Sequence, residues 1–551
     1  MLDRFRNRAL GPGEKAVALV VGAVLLAVLA LTVVRLLPEK CGDGLEPAGD
    51  ECVGVTAGVL TGDPELEGLI RAVADENAKV EQDWKDPENG KTPIPYVRVA
   101  LMMPFTSDST SAMSTEQIAR ALAGAHAAQL RANAQAGPHY QLLLANDGKD
   151  LDHWQPVVDR LAGMGDDEVP LVGVFGLPSS TPDTLEAAKA LSDHRIPVIG
   201  PVLTSTTMNA EYLFKTSPSN ELFAKALGEY LDERPGNGTG FLVSDRREQD
   251  SYSTDLKEVF RKHFGEEYGL ARRQVSYLGM TGDNEGVPQR FSEAAQGICV
   301  TKADTVFFAG RDHDLPALVE RLADEPSCDQ RKPIRILKVG IGLDPVTTTA
   351  EITKQLREAR ITLVGAASVD TRSWEGNEQL SAGARGFVEE FEKLRTDQAN
   401  EQAWGDKPLE DGYAVMYYDA FTVLSQATDR AYDDIKVNGE EENTENTENA
   451  ENAENAENED GLPSHNDVYN TVINMNILGT QSGASCVNCV RGASGTFGFD
   501  DTPDTQKWAV CKPVPVIEYP GAPAASEKNQ AANTYRTHEE IFDGACPLVR
   551  D

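Results

Sequence analysis

The stretch Pro170-Leu-Val-Gly-Val-Phe175, followed by Gly176-Leu-Pro-Ser-Ser-Thr-Pro182, decides the fold class of this protein. The first six residues form a short apolar run, as expected for a strand that is buried on both faces. The next seven contain glycine, proline and hydroxyl residues, which end the strand and lead into an amphipathic helix near 181–194. A buried strand that leads directly into a helix predicts one βα unit of a parallel sheet.

The same pattern extends along the chain in two series. In the first series, strands are expected at 97–103, 140–144, 170–175 and 196–199, with helices near 115–135, 154–164 and 181–194. In the second series, strands are expected at 240–243, 274–277, 305–308, 334–339 and 361–364, with helices near 253–263, 289–297 and 314–323. We therefore predict an α/β protein with two Rossmann-like lobes and a ligand site in the crevice between them.

Composition and charge exclude several classes of protein. The 551 residues are 40% hydrophobic and 25% charged, which is sufficient for a large folded core. With 51 Lys and Arg against 88 Asp and Glu, the net charge is −37, so a surface that neutralises nucleic-acid phosphates is excluded. Residues 444–458 repeat Thr/Ala-Glu-Asn five times within the acidic stretch 439–460. Like-charge repulsion and the lack of apolar side chains predict a disordered insert there.

An apolar segment near the start of the chain predicts a membrane anchor. Residues 16–37 contain a run of 19 residues without a charge, and at about 1.5 Å per residue the segment is long enough to cross a hydrocarbon core. No small-residue cleavage site follows it, which favours an uncleaved signal anchor over a cleaved signal peptide. Basic residues flank its start, so we expect 1–15 to be a cytoplasmic tail and everything from residue 41 onward to lie outside.

Eight cysteines, all after residue 40, are expected to form disulfides outside the membrane. Cys41 and Cys52 bracket a short loop and are candidates for one bridge. Cys299 and Cys328 flank one strand–helix unit and are candidates for another. The remaining four, which allow three pairings, are Cys486, Cys489, Cys511 and Cys546. The spacing Cys486-Val-Asn-Cys489 also fits half a zinc site, but a second closely spaced pair is missing, so we predict no metal site.

Four stretches of the chain carry a resemblance to a known family. They are Phe214-Lys-Thr-Ser-Pro-Ser-Asn220, Asp250-Ser-Tyr-Ser253, Asp411-Gly-Tyr-Ala-Val-Met-Tyr-Tyr-Asp-Ala420 and Gly492-Ala-Ser-Gly-Thr-Phe-Gly-Phe-Asp500. In this order they resemble the first interlobe crossing, a helix-opening turn, a late Tyr-Asp-Ala helix and the closing hairpin of the branched-chain amino-acid (leucine-binding) receptors of ABC transporters. That family has the type I periplasmic-binding-protein fold, and the resemblance covers about residues 96–520.

The resemblance implies a domain organisation and a set of partners. Lobe 1 is expected at 95–218 and 361–483, lobe 2 at 219–360 and 484–520, with a multi-strand hinge between them. An extracellular preamble at 41–94, containing one helix near 64–84, and a C-terminal tail at 521–551 are expected outside the lobes. The implied ligand is a small molecule, an amino acid or a similar compound. The implied partner is an ABC transporter permease or another membrane protein, in a bacterial cell membrane with the C-terminal domain extracellular.

On the first lobe, hydroxyl residues at strand ends are the candidate ligand contacts. Ser179 and Ser180 precede a helix, where unpaired backbone N–H groups and the helix dipole attract a carboxylate. Ser180 or Thr181 could instead only cap that helix. The resemblance implies that Ser179 holds the ligand carboxylate and that Thr204, in the loop after the next strand, faces the ligand.

On the second lobe, four residues are candidates. Tyr252 could close over the ligand as an aromatic wall. Arg311 could bind a carboxylate in a bidentate manner, or it could pair with Asp312 or with Asp314, itself a candidate at the mouth of the cleft. The family places a second-lobe carboxylate against the ligand ammonium. The nearest match is Asp344, which lies slightly out of register, so a small polar ligand is implied more firmly than an amino acid.

No enzyme motif accompanies these features. The chain lacks the Gly-x-Ser-x-Gly, His-Glu-x-x-His and Walker A patterns, so we predict no catalytic residue and no cofactor. The predicted function is that of a membrane-anchored extracellular solute-binding protein for ABC-type uptake. One alternative is a ligand sensor or scaffold of the same fold that acts with a partner membrane protein. A second alternative, from another class, is an extracellular hydrolase.

Overall fold

The structure is a computed structural model that describes residues 41–547 with internal gaps. The gaps are residues 50, 88–91, 109–110, 166, 248, 280–289, 329–331, 375–376, 378–379, 397–403, 446–460, 522–533 and 543–544. The predicted tail 1–15 and anchor 16–37 lie outside the described residues. None of the helices in the described part of the chain combines the length and the hydropathy that a membrane span needs.

Fifteen strands and twelve α-helices are present in the described residues. The strands are β1 Leu45–Ala48, β2 Glu51–Thr56, β3 Tyr96–Met102, β4 His139–Asn146, β5 Leu171–Gly176, β6 Val198–Gly200, β7 Leu213–Lys215, β8 Gly240–Asp245, β9 Gln274–Tyr277, β10 Thr305–Ala309, β11 Ile334–Gly340, β12 Ile361–Ala367, β13 Val490–Gly492, β14 Gly495–Phe497 and β15 Val516–Tyr519. The helices are α1 Glu67–Lys85, α2 Thr115–Asn133, α3 Trp154–Ala162, α4 Pro182–Asp193, α5 Asn220–Glu233, α6 Ser251–Phe264, α7 Arg290–Thr301, α8 Leu315–Asp324, α9 Ala350–Glu358, α10 Ala382–Arg395, α11 Tyr413–Glu445 and α12 His465–Asn474. Both predicted series of strands and helices are confirmed.

Two separate sheets form the two lobes. The first has the order β1-β2-β4-β3-β5-β6-β7, and its strands from β4 to β7 are parallel. The second has the order β15-β12-β11-β10-β8-β9 and is parallel except for β15. The mixed α/β architecture with two largely parallel sheets is consistent with the type I periplasmic-binding-protein fold.

Both sheets use the same strand order for their five parallel strands. Numbered within each lobe, that order is 2-1-3-4-5. The order reverses next to the first strand, and loops that leave the strand ends on either side of this point diverge and open a crevice. The crevice lies beside β3 and β5 in lobe 1 and beside β8 and β10 in lobe 2. Loops after these strands are therefore placed to bind a ligand.

Local sequence explains where the helices begin. Ser114, Thr181 and Ser219 each accept a hydrogen bond from a backbone N–H of the first turn of α2, α4 and α5. Behind the first sheet, α2 packs closely on α11. This approach depends on Gly124, because a Cβ at that position would overlap the carbonyl group of Ala414.

Three chain segments cross between the lobes and lie side by side. The first follows β7, the second follows β12, and the third leads from β14 to β15. The Ser217 and Ser368 hydroxyls, on the first two crossings, are 2.9 Å apart and hydrogen-bonded. The third is joined to the first by backbone hydrogen bonds of Lys215 with Lys507 and Ala509. The expected multi-strand hinge is therefore present.

Several predicted lobe boundaries are wrong. The strand Ile361–Ala367 pairs in parallel with β11, so lobe 1 does not resume at residue 361 but after the second crossing. Residues 490–499, expected in lobe 2, contribute Val490, Phe497 and Phe499 to the lobe 1 core. In both cases the apolar pattern correctly predicted a buried segment. Which sheet or core buries that segment depends on contacts with residues far away in the sequence.

The segments expected outside the lobes are also part of them. In the region predicted as a preamble, β2 pairs with β4, and α1 packs Leu69 and Val73 into the lobe 1 core. In the region predicted as a tail, Tyr535 joins the lobe 2 core. The predicted insert 439–460 begins inside α11, which continues to Glu445; the rest of it lies outside the described residues. A helix that is already nucleated extends readily through glutamate-rich sequence.

Candidate functional site

A cleft of about 1780 Å³ lies between the lobes. Its lining includes six of the seven predicted ligand contacts: Ser179, Ser180, Thr204, Tyr252, Arg311 and Asp344. Ser179 and Ser180 follow β5, and the other four follow β6, β8, β10 and β11, so all six lie beyond the carboxyl ends of parallel strands. The structure therefore brings residues separated by up to 165 positions in the sequence to one cleft, at the place where the topology of both sheets favours binding.

The loop after β5 presents Ser179 to the cleft. Gly176 has φ +116°, and a Cβ there would overlap the carbonyl group of Met102, so the close turn requires glycine. Thr181 is the residue that caps α4, with its Oγ1 3.1 Å from the N–H of Thr184. Because capping is done by Thr181, the hydroxyl of Ser179 is available for contacts across the cleft.

Ser180 has a structural role in the same loop. Its Oγ accepts hydrogen bonds from the backbone N–H groups of Thr204 and Ser205, both at 3.3 Å. These bonds join the loop after β5 to the loop after β6. Ser180 also lines the cleft, and it positions Thr204, whose own hydroxyl makes no hydrogen bond to any described residue.

Arg311 spans the cleft from lobe 2 to lobe 1. Its Nε and Nη2 donate to the two carboxylate oxygens of Asp250 at 2.9 and 2.7 Å, and Nη2 also donates to Ser179 Oγ at 3.0 Å. Burial alone would lower the pKa of Arg311, but the Asp250 carboxylate raises it overall. The two surface pairings predicted for Arg311, with Asp312 and Asp314, are wrong, because Asp250 at the start of α6 offers a bidentate partner.

The ring of Tyr252 packs against the guanidinium group of Arg311. The guanidinium carbon lies 4.7 Å from the centre of the Tyr252 ring, and the Tyr252 hydroxyl donates to the carbonyl oxygen of Val339 at 2.9 Å. A cation over an aromatic face is an attractive contact, and it is stronger where water is excluded. Tyr252 is thus packed into the wall of the cleft, and it holds the arginine in place.

Asp344 contributes a carboxylate from lobe 2. Its Oδ1 accepts a hydrogen bond from the N–H of Val346 at 2.9 Å. Burial, followed by the nearby Asp312 carboxylate, raises the pKa of Asp344 to about 7. Asp312 is neutralised by Lys338 at 2.6 Å, whereas Asp344 has no ion pair with any described residue. A ligand cation at Asp344 would remove this electrostatic penalty.

Asp314 does not belong to the lining of the cleft. It is completely buried, and it accepts a hydrogen bond from the Tyr277 hydroxyl at 3.1 Å. Its prediction as a ligand contact is wrong in position, because the chain turns inward after Arg311 and places this carboxylate beneath the loop. Asp314 helps to fix the loop that carries Arg311.

Three features of the site were not predicted from the sequence. Asp250 pairs with Arg311, and although burial raises its pKa, Arg311 lowers it to about 2. Tyr413 lines the cleft at the start of α11. Arg120 and Asp411 form a buried ion pair of 2.6 Å at the lobe 1 wall. An arginine within the apolar face of α2 was the one signal in the sequence that could have indicated this pair.

All eight cysteines are paired. The disulfides are Cys41–Cys52, Cys299–Cys328, Cys486–Cys489 and Cys511–Cys546. The first two were predicted, and the last two select one of the three pairings that the sequence left open. The Cys-Val-Asn-Cys motif is thus a local disulfide. In the described ranges, no group of three or more His, Cys, Asp or Glu side chains is placed to hold a metal ion.

We expect this pairing to be measurable as an absence of free thiols. The full-length chain, denatured without a reductant, should react with less than one equivalent of a thiol reagent, and reduction should release eight. Mass spectrometry of unreduced peptides should find Cys511 linked to Cys546. A link from Cys511 to Cys486 or Cys489 would contradict the structure.

Several solved structures of solute-binding proteins are similar to this chain in fold. A leucine-binding protein from Thermotoga maritima has 17% identity, with 76% of this chain and 94% of that chain covered, at a TM-score of 0.48. A branched-chain amino-acid transporter substrate-binding protein from Streptococcus pneumoniae, in complex with isoleucine, has 13% identity. The match covers 77% of this chain and 95% of that chain, at a TM-score of 0.49. A solute-binding protein from Rhodopseudomonas palustris, in complex with benzoate, has 14% identity. The match covers 77% of this chain and 94% of that chain, at a TM-score of 0.47.

The chain is similar in structure to substrate-binding proteins of branched-chain amino-acid ABC transporters. No protein-family profile matches the chain, and no curated protein sequence matches it. Identities of 13–17% describe a similarity of fold and leave the ligand undefined.

Proposed function

We propose that this protein is a solute-binding protein that closes two lobes over a small polar ligand, an amino acid or a similar carboxylate-bearing metabolite. The observation that carries the proposal is the contact of Arg311 with Ser179, which joins lobe 2 to lobe 1 directly across the cleft. A ligand bound beside this contact would touch both lobes at once. Such a ligand stabilises the closed arrangement, because its affinity for that arrangement exceeds its affinity for the open one.

The anionic end of the ligand is proposed to lie near Ser179 and Thr204. Their hydroxyls are donors in the buried lining of the cleft, and Arg311 Nη1 makes no hydrogen bond to a described residue, which leaves it for a ligand oxygen. An anion beside a fixed guanidinium gains a charge-assisted hydrogen bond in a place that is partly shielded from water. Asp250 and Tyr252 hold that guanidinium in position before the ligand arrives.

The cationic end is proposed to lie near Asp344. Since the pKa of Asp344 is raised to about 7, part of the population carries a proton at neutral pH. An ammonium group favours the carboxylate form, so its binding would release a fraction of a proton below about pH 7. A zwitterion places one charge at each end of this arrangement, which is why an amino acid is our first choice.

We further propose that the chain acts at a membrane. The apolar stretch 16–37 would anchor it, and an ABC transporter permease would receive the ligand. Membrane fractionation of the native host tests the anchor. Recovery of the chain in the soluble fraction after carbonate extraction would contradict it, without affecting the proposal for the cleft.

A ligand screen tests the cleft itself. Purified full-length protein in a non-ionic detergent should be screened by thermal shift against amino acids, hydroxy acids and aromatic carboxylates, and hits measured by calorimetry. We expect at least one zwitterion or carboxylate to raise the melting temperature. The proposal fails if no compound of these classes does so, or if Arg311→Ala binds the hits as tightly as the unmodified protein does.

Replacing Thr204 with valine is expected to weaken ligand binding by about ten- to a hundredfold. A hydrogen bond to a charged group contributes about 1.5–3 kcal/mol, and valine keeps the shape of threonine without the hydroxyl. Thr428→Val is the matched control, because Thr428 is a buried threonine of α11 whose hydroxyl bonds to Leu424 within the helix. Equal affinity losses in both variants would exclude a direct role for Thr204.

A further inference from the structure

A second pocket, of about 470 Å³, lies on lobe 2 away from the interlobe cleft. Helix α5 forms one wall and the C-terminal segment 534–542 forms another, with His263 of α6 at one side. We call the lining residues Ala224, Gly228 and Tyr535 the floor of the pocket. None of the residues assigned above to the candidate ligand site lines this pocket.

The rim of the pocket carries an excess of negative charge. Glu229, Asp232, Glu539 and Glu540 line it, against Lys225 and His263. Lys225 is paired with Glu540 at 2.8 Å. His263 is paired at 2.7 Å with a further carboxylate, that of Glu221. The three remaining rim carboxylates make no ion pair with any described residue.

The negative charges of the rim carboxylates repel one another. Burial, followed by the nearby Glu539, Glu233 and Asp232 carboxylates, raises the pKa of Glu229. Repulsion of this kind is removed when a cation lies between the groups. The pocket therefore has a shape and a charge that favour a positively charged ligand.

Tyr535 provides a separate indication of a ligand. The residue is only 6% exposed, and its hydroxyl has no hydrogen-bond partner among the described residues. Burial and then the charges of Glu540, Glu539, Glu229 and Glu221 raise its pKa, and three of these four carboxylates line the pocket together with Tyr535. A buried hydroxyl without a partner is costly, and a ligand N–H that donates to it would relieve this cost.

Gly228 provides a third indication. It lies in the middle of α5, where glycine is less favourable to the helix than alanine. Neighbouring atoms do not require it, because a Cβ at this position would come no closer than 3.9 Å to any of them, the ring of Phe264. The glycine is thus not needed for packing or for an unusual φ angle, and it leaves this part of the pocket lining without a side chain.

We propose that this pocket binds an organic cation, an alkylammonium or guanidinium group. Its apolar stem would lie over Gly228 and Ala224, and its N–H groups would meet Glu229, Asp232, Glu539 and the hydroxyl of Tyr535. A metal ion fits less well, since these side chains do not form a metal-binding cluster in the described part of the chain. The proposal does not depend on the function proposed for the interlobe cleft.

The test uses butylguanidinium and its uncharged analogue N-butylurea. Binding of each to full-length protein in a non-ionic detergent should be measured by saturation-transfer NMR. We expect butylguanidinium to bind at least about tenfold more tightly than N-butylurea, because the urea can donate similar hydrogen bonds to the carboxylates but carries no positive charge. Gly228→Leu should weaken binding by at least about tenfold, since its side chain fills the floor, and leucine favours the helix.

Two further variants sharpen the test. Gly228→Ala, the matched control, adds one carbon to the floor and should keep the affinity within about threefold while raising the melting temperature. Tyr535→Phe should weaken binding by about tenfold with little change in fold. Binding of N-acetyl-arginine amide as well would indicate that the natural ligand is an arginine side chain of another protein. Binding of butylguanidinium alone would indicate a free small molecule. Equal binding of the urea, or unchanged binding in Gly228→Leu, overturns the proposal.

Discussion

Replacing Asp411 with alanine is expected to lower the free energy of unfolding of lobe 1 by about 3–5 kcal/mol. Asp411 Oδ2 lies 2.6 Å from Arg120 Nη1, and the two side chains are only 2% and 7% exposed. Arg120 Nε also donates to the carbonyl oxygen of Trp404 at 3.0 Å. Removal of the carboxylate leaves a buried guanidinium without its counter-charge, which costs more than the pair itself contributes.

This effect should be measured by urea unfolding of the full-length protein and compared with a matched exposed pair. Arg98 and Asp167 are 2.8 Å apart, but their side chains are 24% and 49% exposed. Asp167→Ala should therefore cost less than about 1 kcal/mol. The double variant Arg120→Met with Asp411→Leu should recover most of the stability, because an apolar pair of similar size can replace a buried ion pair. Similar losses for Asp411→Ala and Asp167→Ala would contradict the burial argument.

The second large effect concerns pH. Asp147, which follows β4, is 2% exposed, and its Oδ1 has no hydrogen-bond partner among the described residues. Burial, with smaller contributions from the Glu51 and Asp152 charges, raises the pKa of Asp147 from 3.8 to about 8. Between about pH 4 and pH 8 the folded chain therefore keeps a proton that the unfolded chain has lost. This group makes the folded state less stable by about 1.4 kcal/mol for each pH unit in that range.

Asp147→Asn should remove this dependence. The difference in unfolding free energy between the variant and the unmodified protein should grow in favour of the variant from pH 5 to pH 8 and become constant above that, while other titrating groups cancel in the comparison. Asp152→Asn, at a nearby position that is 60% exposed, is the control and should show a much smaller trend, because its charge contributes little to the pKa of Asp147. Parallel stability curves for Asp147→Asn and the unmodified protein would show that the carboxyl group titrates normally.

The interlobe cleft and the outer pocket of lobe 2 differ in how they were found. In the cleft, Ser179, Thr204 and Arg311 were identified from loops at strand ends, which the fold class makes accessible to a ligand. The outer pocket depends on Tyr535 and Gly228, which belong to no motif. Its existence follows only from the way in which segment 534–542 crosses α5.

The order of strands and helices was determined by the sequence alone. The strand Gln274–Tyr277 and the helix Pro182–Asp193 lie where apolar periodicity and turn residues predicted them, within one residue. Such elements are set by interactions between near neighbours, namely backbone preferences, helix caps such as Thr181, and the burial of one face.

The tertiary structure alone decided which elements and side chains meet. Ile361–Ala367 has the pattern of a buried strand in either lobe, and its place in the second sheet follows only from its pairing with β11. Arg311 lay in the sequence next to Asp312 and Asp314, yet it binds Asp250, 61 residues earlier, and Ser179, 132 residues earlier. Charges choose partners by distance and desolvation in three dimensions. Proximity in the sequence does not decide which charged partner a side chain binds. The chemistry of the cleft is therefore a property of the folded chain.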